Sequence, residues 1–150
     1  MKNIQIYTDG ACSGNPGIGG WGAILMYNNV KKEIFDGDLD TTNNKMELTA
    51  VIKSLESLKE KCEVDLYTDS KYVKDGITQW IYSWKKNNWK NSKKEDVKNK
   101  ELWQKLDVLS KIHKINWFWV KGHDDTELNN RADELARAGI KKIKDSTQTK

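Results

Sequence analysis

The 150-residue chain has few of the residues that build disulfide frameworks or rigid loops, with two cysteines, two histidines and one proline. Cys12 and Cys62 form neither a metal-ligand spacing nor a disulfide framework, a pattern typical of proteins from a reducing compartment. No apolar run approaches the about 20 residues that span a membrane. No apolar signal segment follows Met1. We therefore expect a cytoplasmic protein without a membrane segment.

Charge of one sign is not in large excess either. The chain has 26 Lys and Arg against 22 Asp and Glu, which gives a net charge of +4. This balance says little about partners, but many of the lysines alternate with tryptophans between residues 80 and 103. A chain of this length can bury the core of one domain. We predict a single domain over residues 1–140 and a flexible C-terminal tail at residues 141–150.

Hydrophobic periodicity predicts alternating strands and helices, and the sequence has no internal repeats. The predicted strands lie at 4–8, 21–27, 32–39, 64–68 and 115–120, and the predicted helices at 43–59, 71–86, 100–112 and 128–140. Three initial strands followed by strands that helices separate predict an α/β domain with a mixed sheet.

Four carboxylates stand at strand ends or helix starts, and each has an ordinary structural explanation. Asp9 is followed by glycine, and Asp-Gly is a common turn dipeptide. Glu47 lies three residues after Asn44, as in a capping box. Asp69 could cap the helix that follows it. Asp133 lies near the start of the last helix, where a negative charge is favourable.

Together, Asp9, Glu47, Asp69 and Asp133 indicate a metal site. If the four carboxylates converge in one cleft, they repel one another unless cations are bound. Oxygen ligands with open positions suit Mg²⁺, and also Mn²⁺, because these ions keep waters and share substrate phosphates.

Six segments carry a joint pattern along the chain. In order, they read Y-T-D-G-A-C-S-G-N-P-G, T-T-N-N-K-M-E-L, Y-T-D-S-K-Y-V, G-I-T-Q-W-I, V-K-G-H and N-N-R-A-D-E-L-A. In sequence and spacing, they resemble bacterial type 1 ribonuclease H over residues 4–138. The resemblance implies a ribonuclease H-like fold, which is a five-stranded mixed sheet flanked by helices. It also implies endonucleolytic hydrolysis of the RNA strand of RNA/DNA hybrids by a monomer.

The resemblance also implies roles for individual residues. Asp9, Glu47, Asp69 and Asp133 match the metal-binding carboxylates of the family, and His123 matches its mobile catalytic histidine. Two metal ions would act on the scissile phosphate and leave 5′-phosphate and 3′-hydroxyl ends. His123 suits proton transfer because the ordinary pKa of histidine is near neutrality.

The resemblance also assigns substrate selection to two further regions of the chain. In the family, residues at the first turn and at the helix starts recognise the RNA 2′-hydroxyl. The matching residues in this chain are Cys12, Asn15, Asn43, Asn44, Glu47 and Lys71. Thr42 and Asn99 match residues that hold a phosphate of the DNA strand. Asp40 stands where relatives often have a basic residue, which predicts a weaker phosphate grip.

The basic region at about 80–103 matches the protrusion by which the family straddles the DNA strand. Lys85, Lys86 and Lys90 would attract phosphates without reading sequence. Trp80 and Trp84 are assigned to the substrate surface, although packing of these rings and of Trp103 onto the core is the stronger expectation from the area that a buried tryptophan contributes.

Other readings stay open at this point. The same fold could belong to a nuclease that cuts DNA, to an inactive nucleic-acid-binding module or to a domain of a reverse transcriptase. The chain departs from the family at Asp125, where relatives usually have glycine. Together with Asp124, this charge would favour the protonated form of His123 and alter the pH profile of the enzyme.

Overall fold

A computed structural model describes residues 1–120 and 127–148 of the chain. The strands are β1 (Lys2–Ser13), β2 (Gly17–Tyr27), β3 (Val30–Thr41), β4 (Cys62–Thr68) and β5 (Lys114–Trp119). The helices are α1 (Asn43–Glu56), α2 (Lys71–Asp75), α3 (Ile81–Lys86), α4 (Lys100–Ile112) and α5 (Glu127–Gln148), with a π-helical turn at Gly76–Trp80 between α2 and α3.

The strands form one mixed sheet in the order β3-β2-β1-β4-β5. The first three strands pair antiparallel, whereas β4 pairs parallel with both β1 and β5. The predicted five-stranded mixed sheet with helices is confirmed. Among the described residues, no helix is both long and apolar enough to cross a membrane.

Helices cover the two faces of the sheet, as the alternation of side chains along the strands requires. On β1, Ile6 joins the main core with residues of α1, α2 and α4. Its neighbour Tyr7 points to the other face and packs with Ala132 and Leu135 of α5. Trp103 of α4 is completely buried in the main core. The sheet is therefore packed between two helical layers.

The last helix is longer than predicted. We expected the helix to end at residue 140, but α5 continues through Gln148, so the predicted end of the helix is wrong. Tertiary packing continues past residue 140: a Cβ atom at Gly37 of β3 would lie 2.7 Å from Cγ1 of Ile143. Lys142 then pairs with Asp36 at 3.2 Å. Edge strand β3 therefore supports the extra turns.

Candidate active site

Asp9 lies inside a strand and not in a turn. Strand β1 continues to Ser13, and Asp9 stands opposite Gly22 of β2, so the Asp-Gly turn explanation is wrong. A Cβ atom at Gly10 would lie 2.5 Å from backbone atoms of Met46 and Glu47. The absence of a side chain at Gly10 therefore lets the first turns of α1 approach β1 beside Asp9.

Neither Glu47 nor Asp69 serves as a cap. Thr42 caps α1, because its Oγ1 accepts the backbone N–H of Lys45 at 3.2 Å. Ser70 caps α2 by accepting the N–H of Val73 at 3.1 Å. With their capping roles excluded, the two carboxylates are available for other chemistry.

Three of the four predicted carboxylates come together. Asp9, Glu47 and Asp69 each place one carboxylate oxygen within 4.8 Å of the others. Asp9 is 8% exposed and Glu47 is 5% exposed. Oε1 of Glu47 is buried without a hydrogen-bond partner in the part of the chain that the structure describes. A buried oxygen without a hydrogen-bond partner has a free-energy cost.

Asp133 stands in the same cleft but further from its centre. Its Oδ2 is 2.9 Å from a guanidinium nitrogen of Arg137, one turn along α5, and its side chain is about one-third exposed. The structure thus gives three clustered carboxylates and a fourth that Arg137 holds at the wall of the cleft.

Burial and mutual repulsion disfavour the ionised forms of the central carboxylates. Burial, followed by the charge of Asp69, raises the pKa of Asp9 to about 7. Burial and the neighbouring charge of Asp9 also raise the pKa of Glu47 well above its usual value. Like charges in a poorly solvated site have this effect, and a bound cation reverses it. The chemistry of the donor set therefore fits a divalent metal ion.

The cleft around these carboxylates has a volume of about 390 Å³. The described residues that line it are Asp9, Gly10, Asn43, Asn44, Glu47, Asp69, Ser70, Lys71, Tyr72, Asn129, Asn130 and Asp133. Sequence reasoning did not assign Ser70, Tyr72 or Asn130 to the site, although all three lie within the quoted motifs, the first two in that of Asp69 and Asn130 in that of Asp133. His123, Asp124 and Asp125 lie outside the described residues.

The residues predicted to read the 2′-hydroxyl occupy two positions. Asn43, Asn44 and Lys71 line the cleft at the starts of α1 and α2. Asn15 joins them from the β1–β2 turn, because its Oδ1 accepts the backbone N–H of Asn43 at 3.1 Å. Cys12 is half-buried, and its Sγ donates to the carbonyl of Thr41 at 3.4 Å. Asn15 thus ties the turn to the start of α1, and Cys12 ties β1 to the end of β3.

The two residues predicted to hold a DNA phosphate have partners of their own. Thr42 caps α1, as described above. Asn99 has a left-handed backbone, with φ of 60°, and its amide donates to the hydroxyl of Tyr72 at 3.0 Å. Asn99 lines a second cleft, of about 610 Å³, together with Lys45 and Lys100.

The protrusion is held to the core by its aromatic rings. The ring centroid of Trp84 lies 5.3 Å from that of Trp103 and 5.9 Å from that of Trp80. Trp103 also donates its indole N–H to Tyr72 at 3.0 Å. The expected packing of these tryptophans is therefore found, and Trp80 remains 36% exposed.

The three lysines predicted to bind phosphate differ in their surroundings. Lys85 lies 2.7 Å from a carboxylate oxygen of Asp107, and Lys90 lies 2.5 Å from one of Asp96. Lys86 makes no ion pair with any residue that the structure describes. Sequence reasoning missed the partner of Lys85 because Asp107 lies on α4, far from Lys85 in the chain.

The fold and site together define a class of protein. Buried carboxylates that fit a divalent cation, in an open polar cleft at one end of a mixed sheet, are the arrangement of a metal-dependent enzyme that acts on phosphate esters. Comparison with known proteins then identifies the family.

The RNase H family model matches residues 1–141. Ribonuclease H of Brucella anthropi is 62% identical over 144 residues, which cover 96% of this chain and 94% of that protein. Ribonuclease H of Chelativorans sp. strain BNC1 is 60% identical, with 96% and 89% covered. The crystal structure of LC9-RNase H1, a type 1 RNase H with the type 2 active-site motif, has 29% identity and a TM-score of 0.85, with 94% and 73% covered.

The crystal structure of LC11-RNase H1 in complex with an RNA/DNA hybrid is also similar, with 28% identity, a TM-score of 0.73 and coverage of 93% of this chain and 98% of that chain. The chain belongs to the ribonuclease H family. It is a ribonuclease that cleaves the RNA strand of RNA/DNA hybrids endonucleolytically, by the metal-dependent chemistry general to the family. The resemblance seen in the sequence is confirmed.

Proposed function

We propose that Asp9, Glu47, Asp69 and Asp133 hold two Mg²⁺ ions in this cleft and that the RNA strand is cut there to leave 5′-phosphate and 3′-hydroxyl ends. One observation carries the proposal: three carboxylate oxygens lie within 4.8 Å of one another. Ligands that are all oxygen, beside a polar cleft with room for water and a phosphate, favour Mg²⁺ and also accept Mn²⁺.

The residues of the chain have distinct parts in this proposal. Divalent ions supply Lewis acidity at the attacking water and at the leaving 3′-oxygen. A bound cation would favour the ionised forms of Asp9 and Glu47, since its charge would offset the burial and the repulsion that raise their pKa. Oε1 of Glu47, which has no partner among the described residues, then gains one. Asp133 gives a fourth oxygen at the rim.

We also propose that the starts of α1 and α2 select the RNA strand. Asn43, Asn44 and Lys71 line the cleft with groups that can donate to a 2′-hydroxyl. The hydrogen bond from Asn43 to Asn15 keeps the turn after β1 next to them. Cys12 supports the same turn from the end of β1.

The DNA strand is proposed to lie along Thr42, Asn99 and the protrusion. Lys86 is the best placed of the three predicted lysines because no carboxylate of the described chain pairs with it. Lys90 exchanges Asp96 for a phosphate at low cost, because both members of that pair are about half-exposed and such pairs are weak. Lys85 gives up its partner less readily, because the side chain of Asp107 is only 15% exposed. Trp80 and Trp84 shape the protrusion beneath them.

His123 remains our proposed proton carrier, on the strength of the Lys-Gly-His context and of its ordinary pKa near neutrality. We further propose a cytoplasmic monomer. Support for the compartment comes from Cys12 and Cys62, which are both free thiols.

The test is cleavage of one labelled RNA strand as a hybrid with DNA, as an RNA duplex and as a single strand, each with Mg²⁺, Mn²⁺ or EDTA. A DNA duplex and the Asp9→Asn variant serve as controls. The proposal predicts cutting of the hybrid alone, with either metal, and 5′-phosphate on the new end. Cutting of the DNA duplex would contradict the assigned substrate, and cutting in EDTA would contradict the metal site.

A further inference from the structure

Three aromatic rings stack across the sheet on the face that carries α5. The rings of Tyr7 on β1 and Tyr67 on β4 are nearly parallel, with centroids 4.4 Å apart and planes 6° apart. Tyr67 also stacks on Phe118 of β5, at 4.9 Å and 16°. We call Tyr7, Tyr67 and Phe118 the aromatic row.

Two members of the aromatic row stand two residues before two of the clustered carboxylates. Tyr7, Tyr67 and Phe118 stand opposite one another in the parallel register of the three strands. Asp9 follows Tyr7 by two residues, and Asp69 follows Tyr67 by two. Side chains two residues apart on a strand point to the same face. The row therefore packs side by side the segment of β1 that leads to Asp9 and the end of β4, after which Asp69 follows.

A fourth aromatic residue holds the backbone of Asp69. Strand β4 ends at Thr68, so Asp69 lies beyond the paired part of the strand. The indole N–H of Trp119 donates to the carbonyl of Asp69 at 3.3 Å. The ammonium of Lys74 lies over the Trp119 ring, 4.8 Å from its centroid, a contact that favours one orientation of the indole.

The exposure of these rings argues against a role in core burial alone. Phe118 is 42% exposed and Trp119 is 45% exposed, so each removes only part of its apolar area from water. Both stand on edge strand β5, where exposed aromatic side chains favour unwanted association. Their contacts with Tyr67 and Asp69 are what distinguish them from other exposed rings.

We propose that Tyr67, Phe118 and Trp119 are positioning residues, which fix the carboxylate of Asp69 relative to that of Asp9 for metal binding. The inference rests on the proposed metal site. The row acts through ring contact and Trp119 through its N–H donor, so the two parts can be tested separately. Groups that orient metal ligands from outside typically change metal affinity by about 10- to 100-fold when they are replaced.

The experiment is calorimetric titration of Mn²⁺ into the full chain without nucleic acid. The variants are Phe118→Leu, Tyr67→Leu and Trp119→Phe, of which the last removes the N–H donor and keeps an aromatic ring. We expect each to bind Mn²⁺ about tenfold more weakly than the wild type. Tyr67→Phe retains the ring and should bind as the wild type does.

Phe35 supplies a matched control. The chain has two phenylalanines, and Phe35 stands on the other edge strand, β3, with 40% exposure, but it does not belong to the aromatic row. Phe35→Leu should leave Mn²⁺ binding unchanged. In cleavage assays the three test variants should need more metal for half-maximal rate, while KM for the hybrid stays the same.

Each result decides the inference. Wild-type Mn²⁺ affinity in Phe118→Leu and Trp119→Phe would overturn it even if Tyr67→Leu failed to fold, and the metal site would stand. An equal loss in Phe35→Leu would also overturn it, because the effect would then be general. If the wild type and Asp9→Asn bound Mn²⁺ equally, the proposed metal site itself would fail, and the inference with it.

Discussion

The acidic cleft and the basic protrusion treat charge in opposite ways. In the cleft, Asp9 and Glu47 are buried next to each other and to Asp69, and the cost is visible in their raised pKa values. In the protrusion, Lys85 and Lys90 are partly exposed and each has a carboxylate partner. One region concentrates charge of one sign away from water, and the other spreads and balances it.

The difference shows what each region is built to do. Buried like charges destabilise the protein, and a bound cation removes that cost. The carboxylates are already close together, so they can bind the cation with little rearrangement. Exposed ion pairs contribute little to stability and are screened by salt. They can therefore be exchanged for phosphates of many sequences. Burial thus creates a strong, specific site, and exposure creates a weak, general one.

The largest effect is expected from Asp9→Asn, which removes a charge from the acidic cleft and leaves the protrusion unchanged. It removes one of the three carboxylates whose oxygens lie within 4.8 Å of one another, so cleavage of a labelled hybrid should fall by at least about 10²- to 10³-fold, the scale for loss of electrostatic stabilisation of a transition state. Hybrid affinity, measured by fluorescence anisotropy, should change little because the phosphate-binding surface is intact. Substantial remaining turnover would refute the assignment of Asp9 to the metal site.

The second prediction concerns stability without metal. Because the folded-state pKa of Asp9 is about 7 against an ordinary 3.8, the folded protein holds its proton more tightly than the unfolded chain. The proton on Asp9 therefore contributes its full stabilisation of the folded protein below pH about 4. As the pH rises towards 7 this contribution is lost, and the free energy of unfolding falls by roughly 2–4 kcal/mol. Urea unfolding in EDTA across this range measures the loss.

Asp9→Asn is the control for that titration, since other carboxylates also contribute to the pH dependence. The variant should gain stability relative to the wild type as the pH rises from about 4 to about 7. Addition of Mg²⁺ at neutral pH should restore the wild type but not the variant. A constant difference between the two proteins at all pH values would contradict the raised pKa.

Much of the fold and of the cleft is readable from local sequence. The strand and helix positions follow from hydrophobic periodicity, and Asp9, Glu47 and Asp69 each stand where an element points them to one end of the sheet. Local pattern erred by a small shift at the cap of α1, where Thr42 and not Asn44 takes the position. Neighbouring polar residues compete for such a cap, and only the backbone conformation decides between them.

Features that depend on distant contacts were not predictable. The extension of α5 to Gln148 is supported by contacts of Lys142 with Asp36 and of Ile143 with Gly37, residues about a hundred positions apart in the chain. The pairing of Lys85 with Asp107 links α3 to α4. A lysine-rich segment looks uniformly available for phosphate in the sequence, and tertiary packing then makes its members unequal.

That inequality gives the third prediction. Lys86→Ala should weaken hybrid binding more than Lys85→Ala, because the Lys85 ammonium already has Asp107 at 2.7 Å. Loss of one phosphate contact should raise KM a few-fold and lower the slope of log affinity against log salt by about one, with kcat nearly unchanged. KM measured at several salt concentrations tests it. Equal effects of the two substitutions would mean that the ion pair opens freely on binding.

The smallest effect is expected at Asp40, an acidic residue two positions before Thr42. Asp40 is an exposed residue near the end of β3, and its N–H contacts the carboxylate of Asp38 at 3.4 Å. Asp40→Arg removes a negative charge and adds a donor beside the predicted phosphate site at Thr42. We expect KM for the hybrid to fall about twofold at low salt and the gain to fade at high salt.

The control for Asp40→Arg is Glu56→Arg, which changes the net charge equally at the last residue of α1, the end opposite the cleft. If Glu56→Arg lowered KM as much, the gain would come from general attraction to the polyanion. A gain confined to Asp40→Arg would locate a phosphate beside β3. Asp40 is negatively charged and therefore repels a phosphate at that place. Its replacement by arginine would add one more salt-sensitive phosphate contact to those of the protrusion.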